Sequence, residues 1–285
     1  MKLAMDYNLL RATYGDLEGF AVAKETGFDA IDYGFYDMKD NNWLLREDYL
    51  DHAKALRAAM DAAGIQCRQT HAPFNFHYGC AMNESCPEYL ETVRAIEASA
   101  ILGAKYTVIH AVVVPNDVSL HDYNLEFYRT FIPYCEKYGV QVAVENLFYY
   151  DQVTKERKGR LAKPEELQGM VKELCSPWFV ICVDVGHCVL TWQQPEDFID
   201  AIDGELLKVL HIQDTDDIQD RHTMPYLGDI HWDKLMASLK RKGYDGDLTY
   251  EIFKFFKKMP VELRREALAF SEKVGRHLIH LFDEA

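Results

Sequence analysis

Six acidic or histidine residues share one feature, in that each lies at or next to the carboxyl end of a short apolar run. They are His71, His110, Glu145, Asp184, His211 and Glu251. One such residue alone is best explained as a solvated strand end or a hydrogen-bonded core histidine. Six are difficult to explain in this way, because ordinary strand ends would also carry Ser, Asn, Lys and Thr. Since carboxylates and imidazoles bind divalent metals, the pattern predicts a metal site.

The residue types indicate which metal. Glu145, Asp184, His211 and Glu251 together would form a shell made mostly of oxygen. Such a shell suits Mn²⁺, Mg²⁺ or Co²⁺, and Zn²⁺ if more imidazoles join it. The set contains no thiolate, which argues against a structural zinc. We expect one divalent metal, with Mn²⁺ favoured, and open coordination positions for substrate oxygens.

A repeated junction organises the chain around these residues. An amphipathic helix pattern ends in a glycine, and a β-branched apolar run follows; the glycines are Gly27, Gly64, Gly103, Gly139 and Gly243. The first four are 37, 39 and 36 residues apart, about the length of one βα unit. Glycine just past a helix end is typical of a left-handed C-terminal cap.

This frame predicts eight strands and the helices between them. The strands are 2–6, 30–33, 66–70, 106–110, 141–145, 179–184, 207–212 and 248–252. The clearest helices are 48–63, 87–102, 125–138, 164–174 and a closing helix over 260–282. Near-continuous apolar strands that alternate with helices are typical of a parallel sheet. Eight units favour a single-domain (β/α)8 TIM barrel over residues 1–285, with an open α/β sheet as the alternative.

Composition excludes several classes of function. The net charge of −15 and the lack of a long basic run argue against nucleic-acid binding. The N-terminus reaches Asp6 too early for a secretory signal, and no apolar stretch approaches membrane-spanning length. Seven cysteines without a C-x-x-C pair favour free thiols and a cytoplasmic protein. The sequence leaves open whether the chain forms a homo-oligomer.

The chain resembles the xylose isomerase-like barrel superfamily, which contains sugar isomerases and epimerases, with the endonuclease IV group as relatives. The matching pieces are Val144-Glu145-Asn146, Val183-Asp184-Val185-Gly186-His187, Val209-Leu210-His211-Ile212-Gln213-Asp214 and Tyr250-Glu251-Ile252. A further piece is Asp220-Arg221-His222, followed by Leu227-Gly228-Asp229-Ile230-His231-Trp232. The resemblance covers most of the barrel and is more specific for the superfamily than for one reaction.

The resemblance implies roles for particular residues. It makes Glu145, Asp184, His211 and Glu251 the metal ligands, and His187, Arg221 and His71 the groups that contact substrate oxygens. It also makes Glu145 and Glu251 an acid/base pair. One glutamate would remove a proton next to a metal-bound carbonyl, giving an enediolate, and the other would return it. The expected substrate is a small sugar, a sugar phosphate or a related polyol.

The chain also departs from the family pattern. Ketose 3-epimerases of this type follow the first glutamate with Asn-Arg and place a second glutamate six residues on. Here Leu147 replaces the arginine and Asp151 holds the second position. A set of aromatic residues after the strands is available to contact a sugar: Tyr33, Phe35, Phe74, Phe76, Phe148 and Tyr149.

Three other functions remain alternatives. A trinuclear phosphodiesterase of the endonuclease IV type would use His110, Asp220 and His222 as additional metal ligands, with His71 and His187. A lyase of the 3-dehydroshikimate dehydratase type would use the same metal and proton abstraction. A sugar-binding barrel without catalysis is the weakest alternative, because it would not need two carboxylates placed for proton transfer.

Overall fold

Each of the eight apolar runs forms a strand in the computed structural model, which describes residues 1–36, 42–151 and 153–285. The strands are β1 Leu3–Asp6, β2 Ala30–Gly34, β3 Gln66–His71, β4 Tyr106–Val108, β5 Gln141–Glu145, β6 Leu147–Tyr150, β7 Arg157–Arg160, β8 Phe179–Asp184, β9 Leu207–His211 and β10 Leu248–Tyr250. Eight of them pair in parallel in the order β10-β1-β2-β3-β4-β5-β8-β9, and β6 and β7 form a separate antiparallel hairpin.

Short contacts between the first and last strands of this order bring the barrel close to closure. The Ile212 amide donates to the Thr249 carbonyl at 2.7 Å, and the Glu251 amide donates to the Ile212 carbonyl at 2.9 Å. The chain is therefore a (β/α)8 TIM barrel, and the predicted fold class is confirmed. The predicted strand bounds differ from the observed ones by no more than two residues at either end.

The helices surround the strands. They are α1 Asn8–Glu25, which is interrupted at Gly15, α2 Tyr49–Ala63, α3 Pro87–Leu102, α4 Leu120–Arg129, α5 Ile132–Tyr138, α6 Pro164–Glu173, α7 Val185–Leu190, α8 Pro195–Ala201, α9 Trp232–Arg241, α10 Phe253–Lys257 and α11 Val261–Glu284. The prediction of one helix over 125–138 is wrong. Two helices lie there, and Pro133 sits in the first turn of the second, where its missing amide hydrogen costs nothing.

The glycine junctions have the predicted backbone conformation. Gly27, Gly64, Gly103, Gly139 and Gly243 have φ angles of 97°, 70°, 90°, 70° and 67°. An L-residue with a side chain is strained at these positive φ angles, so glycine is favoured where each of these five helices leads into the next strand.

A small apolar cluster fills the lower interior of the barrel, and polar residues lie near it. The cluster consists of Val108, Ala143, Val180, Cys182 and Val209. In the buried polar network, Gln69 donates from Nε2 to Asp32 Oδ2 at 2.6 Å, and the Thr249 hydroxyl donates to Gln69 Oε1 at 3.1 Å. Asp32 is thereby held in one orientation inside the barrel.

Strand register decides which predicted ligands become neighbours. Asp184 pairs directly with His211 across β8 and β9, and Glu145 pairs with Cys182 across β5 and β8. Because parallel strands place their carboxyl ends on one rim, this register brings the predicted ligands to the same mouth of the barrel.

Two further expectations concern the whole chain. All seven cysteines are free thiols. Within the described residues, no helix combines the length and the apolar character that crossing a membrane would require.

The glycine caps lead to a stability prediction. Gly139→Ala introduces a methyl group with open space around it, so its cost is the left-handed backbone alone. We expect the free energy of unfolding to fall by about 1 kcal/mol. Gly169→Ala is the matched control, since it lies inside α6, also in open space, and should stabilise by about 0.5–1 kcal/mol. Urea denaturation followed by circular dichroism measures both, and shifts of the same sign would contradict the cap assignment.

Candidate metal centre

Glu145 is the centre of the rim. Its side chain is 1% exposed, and four imidazoles surround its carboxylate. His211 donates from Nδ1 to Oε1 at 3.0 Å, and His187 Nδ1 lies 3.6 Å from the same oxygen. His110 Nε2 and His71 Nε2 lie 2.9 Å and 3.8 Å from Oε2. The structure therefore brings His71, His110 and His187 to the same glutamate as His211.

The two glutamates of the rim have opposite pKa shifts. Burial acts to raise the pKa of Glu145, but the charge of His211 and hydrogen bonds from the surrounding imidazoles outweigh it, so the pKa lies well below its usual value. Burial and the negative charge of Glu145 raise the pKa of Glu251 well above its usual value. Glu251 Oε1 lies 3.4 Å from His211 Nδ1, so both carboxylates meet at one imidazole.

The surroundings of His211 favour its charged form. Burial opposes that form, but Cys182 and the carboxylates of Glu251 and Glu145 raise the pKa of His211 well above its usual value. Its other ring nitrogen, Nε2, lies 3.5 Å from Asp32 Oδ2. A carboxylate behind an imidazole in this way fixes the orientation of a metal-ligating histidine.

Asn146 and Gln213 position Asp184. Asn146 donates from Nδ2 to the Asp184 carbonyl at 3.0 Å, and its Oδ1 accepts from the Asp184 amide at 2.8 Å. The Gln213 amide nitrogen lies 3.2 Å from both Asp184 side-chain oxygens. Asp184 also caps α7, because its Oδ1 accepts from the His187 amide at 2.8 Å. Its carboxylate therefore has little freedom to move.

Three histidines present the same face to the cavity. In each, Nδ1 donates to a backbone carbonyl: His71 to Ala72 at 3.0 Å, His187 to Asn146 at 2.9 Å and His222 to Glu251 at 2.8 Å. With Nδ1 engaged in this way, Nε2 is the ring nitrogen left for a metal, a substrate hydroxyl or a neighbouring carboxylate. This arrangement is typical of imidazoles that bind a metal or accept a substrate hydroxyl proton.

The loop after β9 brings Asp220 and His222 to the rim. Asp214 and Thr223 exchange backbone hydrogen bonds at 2.9 and 3.1 Å, and Asp214 Oδ2 accepts from the Trp232 indole at 3.0 Å. His222 has a φ angle of 38°, a left-handed conformation held by these anchors. Its Nε2 lies 2.9 Å from Asp220 Oδ2. Burial acts to raise the pKa of Asp220, but His222 and His187 lower it well below its usual value.

The donor set fits a divalent metal. Glu145 Oε2 is buried and has no hydrogen-bond partner, although His110 Nε2 is near it. The Nε2 atoms of His71 and His110 lie 3.0 Å apart and converge on that oxygen. Burial and the neighbouring His71 imidazole lower the pKa of His110 to about 3. Groups of donor atoms close enough to share an ion include His71 with His110 and Glu145, Glu145 with Asp184 and His187, and His187 with Asp220 and His222.

These residues surround a cavity of about 320 Å³, called here the rim cavity. It is lined by Tyr36, His71, Phe74, His110, Glu145, Leu147, Phe148, Arg160, His187, Asp220, His222, Glu251 and Phe253. Of the aromatic residues expected at a sugar, Phe74 and Phe148 line it. Phe76 lies in a neighbouring cavity, whereas Tyr33 and Phe35 are buried in the core.

Two residues singled out in the sequence lie away from the rim cavity. The Arg221 guanidinium is half exposed and pairs with Asp216, so the structure does not bring it to the predicted ligands, and its substrate role remains a prediction. Asp151 accepts hydrogen bonds from the Val153 and Thr154 amides and pairs with Lys158 at 2.6 Å. It therefore builds the end of the β6–β7 hairpin.

Sequence reasoning missed three residues of the site. Asp32 lies behind His211. It could have been found in the sequence, because it is a carboxylate inside an otherwise apolar strand. Tyr36 and Arg160 line the rim cavity, and no motif marks either one. Arg160 arrives there because β7 folds back along β6, which places it opposite Leu147.

Asp32 gives a test of the metal centre. Asp32→Asn removes the negative charge behind His211, whereas the amide oxygen can still accept from Gln69. We expect affinity for Mn²⁺ to fall about 10–100-fold with the fold unchanged. Competition with a fluorescent chelator measures the affinity, and Asp51→Asn on the exposed face of α2 is the control. Unchanged Mn²⁺ affinity in Asp32→Asn would exclude His211 as a ligand.

Known proteins resemble this chain in sequence or in structure. An uncharacterized protein of Methanocaldococcus jannaschii is 28% identical over 191 residues, which span 64% of this chain and 62% of that protein. A D-tagatose 3-epimerase-like protein matches in structure with a TM-score of 0.75 and 22% identity, covering 100% of this chain and 99% of the other. The IOLI protein, solved with a bound zinc atom, matches with a TM-score of 0.73 and 17% identity over 100% and 99% of the two chains.

The family assignment rests on a broader match. The family model described as xylose isomerase-like TIM barrel matches residues 20–274, and these residues contain every predicted ligand. The eight-stranded barrel and the rim of carboxylates and imidazoles agree with that match. This chain belongs to the xylose isomerase-like TIM barrel family.

Proposed function

We propose that the protein is a metal-dependent sugar isomerase or epimerase that moves a proton next to a carbonyl through an enediolate. The observation that carries the proposal is the pair Glu145 and Glu251, which meet at His211 with opposite pKa shifts. Two carboxylates whose environments separate their pKa values are suited to act as base and acid. The structural neighbours include epimerases of the same fold, such as the D-tagatose 3-epimerase-like protein.

The proposed metal ligands are Glu145, Asp184, His211 and Glu251, and one divalent cation, Mn²⁺ in our expectation, would bind there. A divalent cation in this position would polarise a substrate carbonyl and acidify the neighbouring C–H bond. The zinc in the IOLI structure supports a metal on this fold.

The remaining chemistry falls to side chains of this chain. An ionised glutamate removes the proton from carbon, and the other glutamate returns a proton to the neighbouring position or to the opposite face. His71 and His187 each hold a backbone carbonyl with Nδ1, which leaves Nε2 as the ring nitrogen for hydrogen bonds with substrate hydroxyl groups. Phe74 and Phe148 give the cavity apolar walls that pack against the C–H face of a sugar and exclude water.

A charge-removing variant tests the acid/base pair. Glu251→Gln keeps the shape of the side chain but cannot transfer a proton, so we expect turnover to fall about 10²–10⁴-fold. The assay is exchange of deuterium from D₂O into ketoses by NMR, in protein loaded with Mn²⁺. Glu173→Gln, an exposed glutamate that pairs with His121, is the control and should retain full exchange. Near-normal exchange in Glu251→Gln would remove Glu251 from the mechanism.

A trinuclear phosphodiesterase is the second candidate. It is favoured by the two flanking groups, His71 with His110 and Glu145, and His187 with Asp220 and His222. Three metals would clamp a phosphodiester for in-line displacement. The net charge of −15 opposes it, because DNA-binding proteins track the backbone with basic surfaces.

Asp220→Asn separates the two candidates. It removes a carboxylate from one flanking group and leaves the four proposed ligands in place. For the isomerase, we expect metal content to stay at one equivalent and deuterium exchange to fall less than about tenfold, as for a residue outside the reacting atoms. Elemental mass spectrometry counts the metal. Three equivalents in the unmodified protein, a loss of metal in Asp220→Asn and cleavage of abasic DNA would establish the phosphodiesterase instead.

A further inference from the structure

Arg160 is the one lysine or arginine among the described residues that line the rim cavity. It also lines a second cavity of about 270 Å³, called here the side chamber, which lies beyond His110 and Phe74. Both cavities share these three residues. Arg160 therefore lies between the rim cavity and the side chamber, where a substrate longer than its reacting atoms would contact it.

The Arg160 guanidinium forms no close ion pair within the described residues, and the Glu145 carboxylate acts on it only from a distance. Within the described part of the chain, no carboxylate lies within 4.0 Å of it, and its buried Nε has no hydrogen-bond partner. Arg157, three residues earlier on the same hairpin, also has a buried Nε without a partner, but its terminal nitrogens donate to the Asp217 and Ile218 carbonyls and its guanidinium lies over the Trp192 ring. Within the described residues Arg160 has no comparable contact, and it is the arginine of the hairpin that lines the two cavities.

An unpaired cation in such a place is costly. Burial lowers the pKa of the Arg160 guanidinium, yet arginine stays protonated in proteins. A buried charge is normally paired or bound to a ligand. The protein has a net charge of −15 and therefore many carboxylates, yet none of those in the described residues lies within 4.0 Å of Arg160. The missing partner is best supplied by the substrate.

The side chamber indicates the kind of anion. Its walls are mainly apolar, with Phe76, Ile109, Val112 and Phe127. The Thr92 hydroxyl, also in the lining, already donates to the Glu88 carbonyl at 3.1 Å. A phosphate dianion usually takes several cationic or amide donors, whereas one guanidinium fork satisfies both oxygens of a carboxylate. A single arginine in an apolar chamber thus matches a monoanionic carboxylate.

We propose that Arg160 binds the carboxylate of a sugar acid, so that the substrate spans the two cavities with its reacting carbons at Glu145 and Glu251. The proposal rests on the proposed isomerase or epimerase function and names its substrate class. Arg160 belongs to the hairpin between β5 and α6, outside the sequence motifs that define the rim.

Binding of three matched ketoses tests the proposal. The probes are D-fructuronate, D-fructose and D-fructose 6-phosphate, which differ in the group at C6. Calorimetry on the Mn²⁺-loaded and the metal-free protein measures each affinity. We expect D-fructuronate to bind about 10–100-fold more tightly than D-fructose, as a charge-assisted bidentate pair provides. That preference should disappear in Arg160→Met and be partly kept in Arg160→Lys.

Controls separate a lost contact from a lost fold. Arg241→Gln removes the same charge from an exposed pair with Asp200 and should keep the preference. Circular dichroism and unchanged Mn²⁺ affinity verify that Arg160→Met is folded. The proposal would be overturned by equal affinity for all three probes, or by a preference for D-fructuronate that survives in Arg160→Met. Tighter binding of D-fructose 6-phosphate would show that the site takes a phosphate and not a carboxylate.

Failure of the proposed function gives a different result. If D-fructuronate binds through Arg160 but no probe exchanges deuterium in D₂O, the isomerase assignment fails and the anion site stands. If neutral ketoses exchange as fast as D-fructuronate and bind as tightly, the isomerase assignment stands and the role of Arg160 fails.

Discussion

The rest of the site depends on one physical constraint, which is that the Glu145 carboxylate is ionised and removed from water. A buried carboxylate is stable only where cations or hydrogen-bond donors face it. Here imidazoles do so, from His71 and His110 on one side and from His187 and His211 on the other. One charge therefore sets the positions of these four side chains. Each of them in turn contacts other residues of the rim.

A ring of backbone contacts supports this arrangement. The proton on His187 is directed to the Asn146 carbonyl, next to Glu145, and the proton on His222 is directed to the Glu251 carbonyl. Each imidazole is thus oriented by the residue at or beside a predicted acid/base glutamate on another strand. Because these contacts cross from element to element, the orientation of each imidazole depends on the position of a different element.

The sequence allowed the eight strands to be predicted because buried parallel strands form apolar runs and because a glycine precedes five of them, β2, β3, β4, β5 and β10. The ligands at the strand ends were predictable for the same reason, since Glu145 and Asp184 are defined by the strands they terminate. Asp32, Tyr36 and Arg160 were not. Asp32 acts through His211, which is 179 residues away in the chain, and Arg160 depends on a hairpin whose turn carries no strong sequence signal.

The electrostatics of the rim supports the proposal of one metal rather than three. In the flanking group, burial opposes the charge of His187, but Asp184, Glu145 and Asp220 raise its pKa, while the two imidazoles lower the pKa of Asp220. The imidazoles and the carboxylate of that group therefore stabilise each other's charged forms. At the other flank, the pKa of His110 is lowered to about 3, so its neutral form is favoured. At the centre, the pKa of Glu145 is lowered and that of Glu251 is raised, so negative charge is concentrated at Glu145, where the single divalent cation that we propose would add to the positive charge of the imidazoles.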